Sequence, residues 1–158
     1  MTHDLFMAID PGNEQSAYVF YDGQTIVSFG KVPNIELLDL LRRNTRLTHI
    51  CIEMVACYGM AVGKTIFDTC LVIGKVQEIC DNKNIKCTLI YRKDVKMHLC
   101  GQTKAKDSNI IQALKDRFGE KGTKKAPGFF FGFKSDIWQA FAIAVFYNDT
   151  RNKNVPNN

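Results

Sequence analysis

The sequence predicts an α/β fold with a mixed five-stranded β-sheet flanked by helices. Five short segments rich in β-branched and aromatic residues are interspersed with segments of helical periodicity. The first three strand segments are separated only by short turns, which indicates an antiparallel meander, β1-β2-β3. The last two follow helices, which indicates that β4 and β5 run parallel to β1. With 158 residues, the chain is expected to bury one core as a single domain over 1–150.

The meander is predicted at 5–10, 16–21 and 25–32. Residues 5–10 read LFMAID, an apolar run that ends on an aspartate and is followed by proline and glycine. Asp-Pro-Gly favours a turn, because proline fixes φ and glycine tolerates positive φ. Asp10 therefore has two readings at this point, as a turn residue or as a functional carboxylate at a strand end.

The remaining segments alternate between helical and strand patterns. Residues 49–54 read HICIEM, a second apolar strand that ends near an acid, Glu53. Apolar residues at helical spacing, with proline, glycine or serine at the ends, predict the helices. In chain order we predict a helix at 33–44, a strand at 49–54, a helix at 63–83, a strand at 85–91, and helices at 105–119 and 135–149. The polar tail 151–158 is predicted to be disordered.

Charge is distributed unevenly along the chain, although the net charge is only +5. Residues 1–82 carry 6 Lys/Arg and 10 Asp/Glu, whereas residues 83–134 carry 13 Lys/Arg and 4 Asp/Glu, a net charge of +9. Such a segment favours a polyanionic partner, most often nucleic acid. A solvated basic face without a partner is equally compatible with the charge alone.

Cysteine and hydropathy patterns argue against several classes of protein. The six cysteines form no C-x-x-C pair, so neither a zinc site nor a disulfide framework is expected. No apolar run reaches membrane-spanning length, and the first residues lack the pattern of a signal peptide. We therefore expect a cytoplasmic protein without a membrane partner.

Three acids lie at the edges of apolar elements: Asp10 and Glu53 at strand ends, and Asp136 in the first turn of the final helix. The carboxyl ends of parallel strands collect ligand chemistry, so the three carboxylates are expected to converge. Converging carboxylates repel one another unless cations compensate them, and oxygen ligands without His or Cys suit Mg²⁺ or Mn²⁺. Two such ions are the usual apparatus for phosphodiester hydrolysis. Each acid also has a structural reading, as a turn, strand-end or helix-start residue.

Four motifs in this order resemble one family. IDPG after the first strand, IE at the end of the fourth, VKMHLCGQTKAKDSNI and DIWQAFAIAV are similar to the RuvC-like Holliday-junction resolvases of the RNase H-like/retroviral integrase superfamily. The similarity spans residues 5–147 and is strongest to the bacteriophage branch, which would place the protein in a host cytoplasm. It implies an RNase H-like fold and a homodimer that cleaves four-way or branched DNA with two Mg²⁺ ions per site, for which Mn²⁺ can substitute.

The resemblance also implies roles for individual residues. Asp10 corresponds to the first-strand ligand that bridges both ions, and Glu53 to the ligand at the end of the fourth strand. Asp136 corresponds to the first acid of a pair one helical turn apart. Gln139 stands at the second position of that pair, which leaves the fourth ligand open.

The predicted DNA contacts follow from the same comparison and from charge. The family often carries a lysine where this chain has Asp107, and Lys106 is our candidate for the phosphate contact instead. Asp107 itself is read as a favourable charge at a helix N-terminus. The loop after Glu53 is implied to enter the junction, with an aromatic wedge that alternatively folds back on the core. The predicted DNA-binding residues are Tyr58, Met60, Lys64, Lys96, Lys104 and Lys106.

The sequence thus predicts a Mg²⁺-dependent endonuclease for Holliday junctions that acts through Asp10, Glu53 and Asp136. Two alternatives remain open. An RNase H-fold nuclease with another substrate, such as replication forks or RNA–DNA hybrids, would carry the same acids. A catalytically weak junction-binding protein is favoured if Gln139 removes a needed ligand.

Overall fold

The computed structural model describes residues 4–151 and 153 as a five-stranded sheet with helices on both faces. The elements are β1 (Phe6–Asp10), β2 (Gln15–Tyr21), β3 (Ile26–Pro33), α1 (Asn34–Arg43), β4 (His49–Met54), α2 (Lys64–Lys83), β5 (Lys86–Tyr91), α3 (Arg92–Cys100), α4 (Asp107–Phe118) and α5 (Ile137–Arg151). The predicted tail, 151–158, lies outside the described residues, except for Arg151 at the end of α5 and Lys153.

The sheet has the predicted topology. Its strand order is β3-β2-β1-β4-β5. β2 pairs antiparallel with both β1 and β3, whereas β4 pairs parallel with β1 and β5. The mixed sheet with an antiparallel meander and two parallel strands is therefore confirmed. No helix within the described part of the chain is both long and apolar enough to cross a membrane.

The alternation of side chains along the strands divides the core between the two faces of the sheet. Met7 and Ile9 of β1 pack in the cluster that contains the buried residues of α1 and α2. Phe6 and Ala8 belong to the other cluster, which contains α5 and the buried residues of α3 and α4. Because successive side chains of a strand point to opposite faces, Asp10 falls on the α5 face of the sheet.

Differences between the observed helices and the sequence prediction include α3 and the starts of α4 and α5. The sequence pattern predicts no helix at 92–100, where the structure has α3; Val95 is its only fully buried residue, so the segment has little apolar periodicity. α4 begins at Asp107 instead of residue 105. α5 begins at Ile137 instead of residue 135, because Ser135 takes the left-handed conformation with φ 51°.

A shared carboxylate ties α3, α4 and α5 together. Asp149 of α5 accepts hydrogen bonds from Arg117 of α4 at 2.6 and 2.8 Å and is 2.7 Å from Nε2 of His98 of α3. Burial raises the pKa of Asp149, but hydrogen bonds to Arg117 and His98 outweigh it and hold that pKa below its usual value. The last turn of α3 is therefore held against α4 and α5.

Aromatic packing fixes the segment that precedes α5. Phe130 and Phe133 are fully buried, and both rings contact Trp138 and Phe141. This cluster anchors the first turns of α5, and so it fixes the position of Asp136, which directly precedes the helix.

Candidate active site

The turn after β1 is fixed by hydrogen bonds from two neighbouring segments. Ser16 Oγ accepts from the Gly12 N–H at 3.2 Å and donates to Asn34 Oδ1 at 2.6 Å, and Asn34 Nδ2 donates to the Gly12 carbonyl at 2.9 Å. A Cβ at residue 12 would lie 2.3 Å from the Gln15 carbonyl oxygen, so only glycine fits there. The backbone bends at residues 13 and 14, close to the predicted turn, but Gly12 does not take a positive φ, so the close approach to Gln15 is what requires glycine there.

Asp10 and Glu53 occupy equivalent positions on adjacent parallel strands. The β1–β4 register pairs Ile9 with Ile52, and each acid is the next residue of its strand. Burial and then the negative charge of Glu53 are the main causes that raise the pKa of Asp10 to about 8. Burial also raises the pKa of Glu53, against the opposing positive charge of Arg92. The two carboxylates are therefore close, poorly solvated and mutually repulsive.

Asp136 faces the same site from the residue before α5. Its carbonyl accepts the hydrogen bond of the Ala140 N–H at 3.0 Å, so it stands at the helix N-terminus. Its charge contributes to raising the pKa values of both Asp10 and Glu53. The three acids that the sequence singles out are thus brought together at the carboxyl ends of β1 and β4.

Two cations that the sequence analysis did not assign lie among these acids. Lys31 of β3 donates a hydrogen bond to Asp136 Oδ2. Arg92, the first residue of α3, lies 3.8 Å from Glu53 Oε1 through Nη1 and 3.3 Å from Asp107 Oδ1 through Nη2. Both positive charges oppose the raised pKa of Asp10. The strand order places β3 on one side of β1 and β5 on the other, so the cations flank Asp10.

The donor set has the chemistry that a hard divalent cation requires. The carboxylate of Asp10 forms no side-chain hydrogen bond or ion pair with any described residue, whereas Arg92 and Lys31 act on it only through their charge. Glu53 and Asp136 are paired with protein cations in this arrangement. Accordingly, no three His, Cys, Asp or Glu side chains among the described residues are placed to hold an ion together. These oxygen donors are therefore of the kind that Mg²⁺ prefers. For all three to bind an ion, Asp136 and Glu53 would have to give up their pairing with Lys31 and Arg92.

The two residues that depart from the family pattern lie in different surroundings. Gln139 is 6% exposed on α5, one helical turn after Asp136. Asp107, the first residue of α4, is exposed and adds to the negative potential that raises the pKa of Glu53. Asp107 is therefore part of the site's electrostatics as well as a helix-start residue.

The loop between β4 and α2 presents its predicted DNA contacts to solvent. Tyr58 is 62% exposed and Met60 70%, and neither side chain belongs to a core cluster. Tyr58 has φ 47°, and Nζ of Lys93 lies 6.0 Å from its ring centroid. A groove of about 250 Å³ between this loop and the site is lined by Glu53, Met54, Val55, Ala56, Tyr58, Ile66 and Arg92.

The predicted lysines divide into near and distant groups. Lys96 of α3 is close enough to lower the pKa of Glu53. Lys104 and Lys106 are exposed on the turn between α3 and α4, where Lys106 also precedes the first residue of α4. Lys64 begins α2 and pairs with Asp68 one turn later. Of the predicted phosphate contacts, only Lys96 therefore acts on the acids themselves.

Comparison with known proteins gives structural matches alone. No protein-family model matches the chain, and no curated protein matches it in sequence. A Thermus thermophilus RuvC structure shares 18% identity over 93% of this chain and 96% of its own, with a TM-score of 0.68. T. thermophilus RuvC in complex with a Holliday junction substrate shares 16% over 96% of each chain, with a TM-score of 0.72. The yeast mitochondrial Holliday junction resolvase Ydc2 shares 10% over 97% of this chain and 87% of its own, with a TM-score of 0.59. The chain therefore has the fold of these proteins.

Proposed function

We propose that the chain is an endonuclease of the RuvC-like resolvase type that hydrolyses phosphodiesters in four-way or branched DNA. The observation that carries the proposal is the convergence of Asp10, Glu53 and Asp136 at the carboxyl ends of β1 and β4. The fold is shared with RuvC, one structure of which holds a Holliday junction. The assignment to the bacteriophage branch remains a prediction from the sequence.

In this proposal Asp10, Glu53 and Asp136 hold Mg²⁺, with Mn²⁺ able to substitute and two ions per site. The metal ions supply charge neutralisation at the phosphate and an acidified water. The chain itself contributes a rigid turn that orients Asp10 and a poorly solvated strand end that strengthens electrostatic interactions. Lys31 pairs with Asp136 and Arg92 with Glu53, so both carboxylates are held near Asp10, where they would bind the ions.

The proposed partner is a DNA junction held by a homodimer. α3, α4 and the Lys-rich loop, which hold much of the basic segment 83–134, pack on the sheet face that carries the acids. Phosphates are therefore attracted to that face. The exposed side chains of Tyr58 and Met60 are placed to contact bases near the junction centre. A second copy is proposed to pack on the exposed apolar side of α2.

The decisive experiment compares the wild-type protein with Asp10→Asn on three labelled substrates in Mg²⁺: a four-way junction, a linear duplex and an RNA–DNA hybrid. We expect symmetric nicks in the junction alone. Asp10→Asn is expected to lower the rate at least about 100-fold, because the central carboxylate becomes a neutral amide. Junction affinity is expected to remain or to rise, because one negative charge near the phosphates is removed.

Two outcomes would replace the proposal with its alternatives. Cleavage of the hybrid or the duplex in preference to the junction would indicate an RNase H-fold nuclease with a different substrate. Tight junction binding without nicks in Mg²⁺ or Mn²⁺ would indicate a junction-binding protein. Gln139→Asp is then informative, since it restores an acid at the second position of the final-helix pair and is expected to produce activity in that case.

A further inference from the structure

Arg92 occupies a position that its structural contacts do not explain. Its guanidinium lies between Glu53 and Asp107 at 3.8 and 3.3 Å, longer than the 2.7–2.9 Å that is usual for charge-assisted hydrogen bonds. Its Nε is buried and has no hydrogen-bond partner among the described residues. A residue retained for stability would be expected to satisfy these donors, because an unpaired buried donor is costly.

The groove beside the acids gives Arg92 access to a ligand. Arg92 and Glu53 line the same groove of about 250 Å³, and 36% of the Arg92 side chain is exposed. Arg92 is the only cation among the described residues that line this groove, so a phosphate that enters it can contact the guanidinium. Arginine suits that role, because its planar fork can bind two phosphate oxygens at once.

Asp107 explains how Arg92 is held in place. The family resemblance implies a lysine at residue 107, whereas this chain carries an acid there. The acid at residue 107 pairs with Arg92, which starts a neighbouring helix and extends to the same point beside Glu53. The positive charge at this point is thus kept, although it comes from a different element.

We propose, on the basis of the proposed nuclease function, that Arg92 binds the scissile phosphate and that Asp107 is its positioning residue. Arg92 exchanges its long contacts with Glu53 for phosphate oxygens when the substrate enters. Asp107 remains paired and fixes the guanidinium at the start of α3. A purely structural Arg92 would only neutralise the two acids and would make no contact with DNA.

The test uses the full chain and four variants: Arg92→Gln, Arg92→Lys, the double variant Arg92→Gln/Asp107→Lys, and Arg46→Gln as a matched control. Arg46 precedes β4 at the opposite end of the sheet from Glu53. Single-turnover cleavage of a four-way junction is measured in Mg²⁺. Junction affinity is measured in Ca²⁺ at several salt concentrations, with product formation checked in the same samples, and melting midpoints verify the fold.

Loss of a phosphate contact predicts a specific pattern. Arg92→Gln is expected to lower the cleavage rate about 100-fold, as for removal of one transition-state donor. The slope of its plot of log Kd against log salt concentration is expected to decrease by about one, the value for a single phosphate contact. Arg92→Lys and Arg92→Gln/Asp107→Lys are each expected to recover about tenfold of the lost rate, and Arg46→Gln is expected to match the wild type.

Each alternative result has one meaning. A rate within threefold of the wild type, or an unchanged salt slope, in Arg92→Gln overturns this inference and leaves the nuclease proposal intact. Loss without recovery in both lysine variants also overturns it and indicates a structural role. A wild-type protein that cleaves no junction overturns the nuclease proposal and this inference with it. If Arg92→Gln does not fold, Arg92→Lys is compared with the wild type instead: its cleavage rate is expected to be about tenfold lower, because lysine lacks the planar fork, and a rate within threefold of the wild type overturns this inference.

Discussion

Asp10 combines burial with negative neighbours at a point where the backbone cannot move away. The hydrogen bonds among Gly12, Ser16 and Asn34 fix the turn, and the β1–β4 register places Glu53 beside it. In the absence of a bound cation, the ionised form of Asp10 is therefore disfavoured relative to an unfolded chain. That penalty is a physical signature of a site adapted to bind positive charge.

The raised pKa of Asp10 predicts how stability without divalent ions depends on pH. The folded-state pKa is about 8 and the ordinary value is 3.8, so the folded chain retains a proton that the unfolded chain releases between these pH values. The contribution of Asp10 to the free energy of unfolding is therefore fully present below pH 3.8 and is lost as the pH rises through about 8. Asp10→Asn, which cannot ionise, is expected to be more stable than the wild type at pH 8 by a few kcal/mol, of the order set by about 1.4 kcal/mol per pKa unit.

Urea unfolding in EDTA at pH 5 and pH 8 checks this expectation. The stability difference between Asp10→Asn and the wild type should be larger at pH 8 than at pH 5. Asp4→Asn, an exposed aspartate before β1, is the matched control and should show little pH dependence in that difference. A difference that is equal at both pH values would show that Asp10 is ionised throughout and well solvated.

Residues of the site differ in how visible they are in the sequence. Asp10 and Glu53 follow apolar runs, so the sequence itself indicates that their carboxylates would be buried at an energetic cost. Their convergence then follows from the strand order. The sequence does not single out Arg92 and Lys31 in this way, because each is one charged residue among many. Their roles depend on the pairing of β3 with β2 and on the short step from β5 into α3. Such tertiary neighbours leave no local signal.

α2 carries apolar residues on two sides, which a helix packed only on its own core does not require. Its inner side buries Ile73, Val76 and Ile79 against the sheet. Its outer side exposes Phe67 by 60% and Leu71 by 65%, one helical turn apart. Large apolar side chains exposed in adjacent turns are typical of an interaction surface, and we propose that the second copy of the proposed homodimer covers it.

A charge on that outer side is therefore expected to dissociate the homodimer. Leu71→Glu should shift the mass measured by light scattering from two chains toward one, with a dimer Kd at least about 100-fold higher, because the carboxylate would be buried without a partner. Phe131→Glu is the matched control, since Phe131 is also exposed, at 44%, but lies in the loop before α5. A wild-type protein that is monomeric with and without junction, or a Leu71→Glu variant that remains dimeric, would contradict this role of α2.

Elements with strong apolar periodicity are predictable from the sequence, and those without it are not. The strand 49–54 is predicted with the bounds of β4, and 63–83 differs from α2 by one residue, because both carry continuous apolar faces. α3 contains only one fully buried residue and is held by the pairing of His98 with Asp149 and by its connection to β5. α3 is therefore stabilised by tertiary contacts. For this reason the sequence pattern does not predict the helix that carries Arg92.

At the scale of the whole molecule, the fold brings the basic segment to the face of the sheet that carries the acids. Residues 83–134 contribute the net charge of +9, and their buried side chains in α3 and α4 belong to the core cluster on the α5 side of the sheet. Asp10 and Glu53 point toward that side. The basic segment is distant in sequence from both acids, and the crossovers through α2 and β5 bring it beside them. Under the proposed function, a DNA backbone attracted by the lysines would thereby be brought to the carboxylates.

This arrangement predicts that Lys104 and Lys106 contribute to junction affinity through phosphates and not through bases. Lys104→Ala/Lys106→Ala is expected to weaken binding and to flatten the plot of log Kd against log salt by up to about two, since each phosphate contact contributes about 0.9. The cleavage rate at saturating enzyme is expected to change little, because neither lysine acts on the carboxylates. The matched control is Arg46→Ala/Lys86→Ala, which removes the same charge at the opposite end of the sheet. A double variant with the wild-type salt slope would place the DNA path away from the turn between α3 and α4.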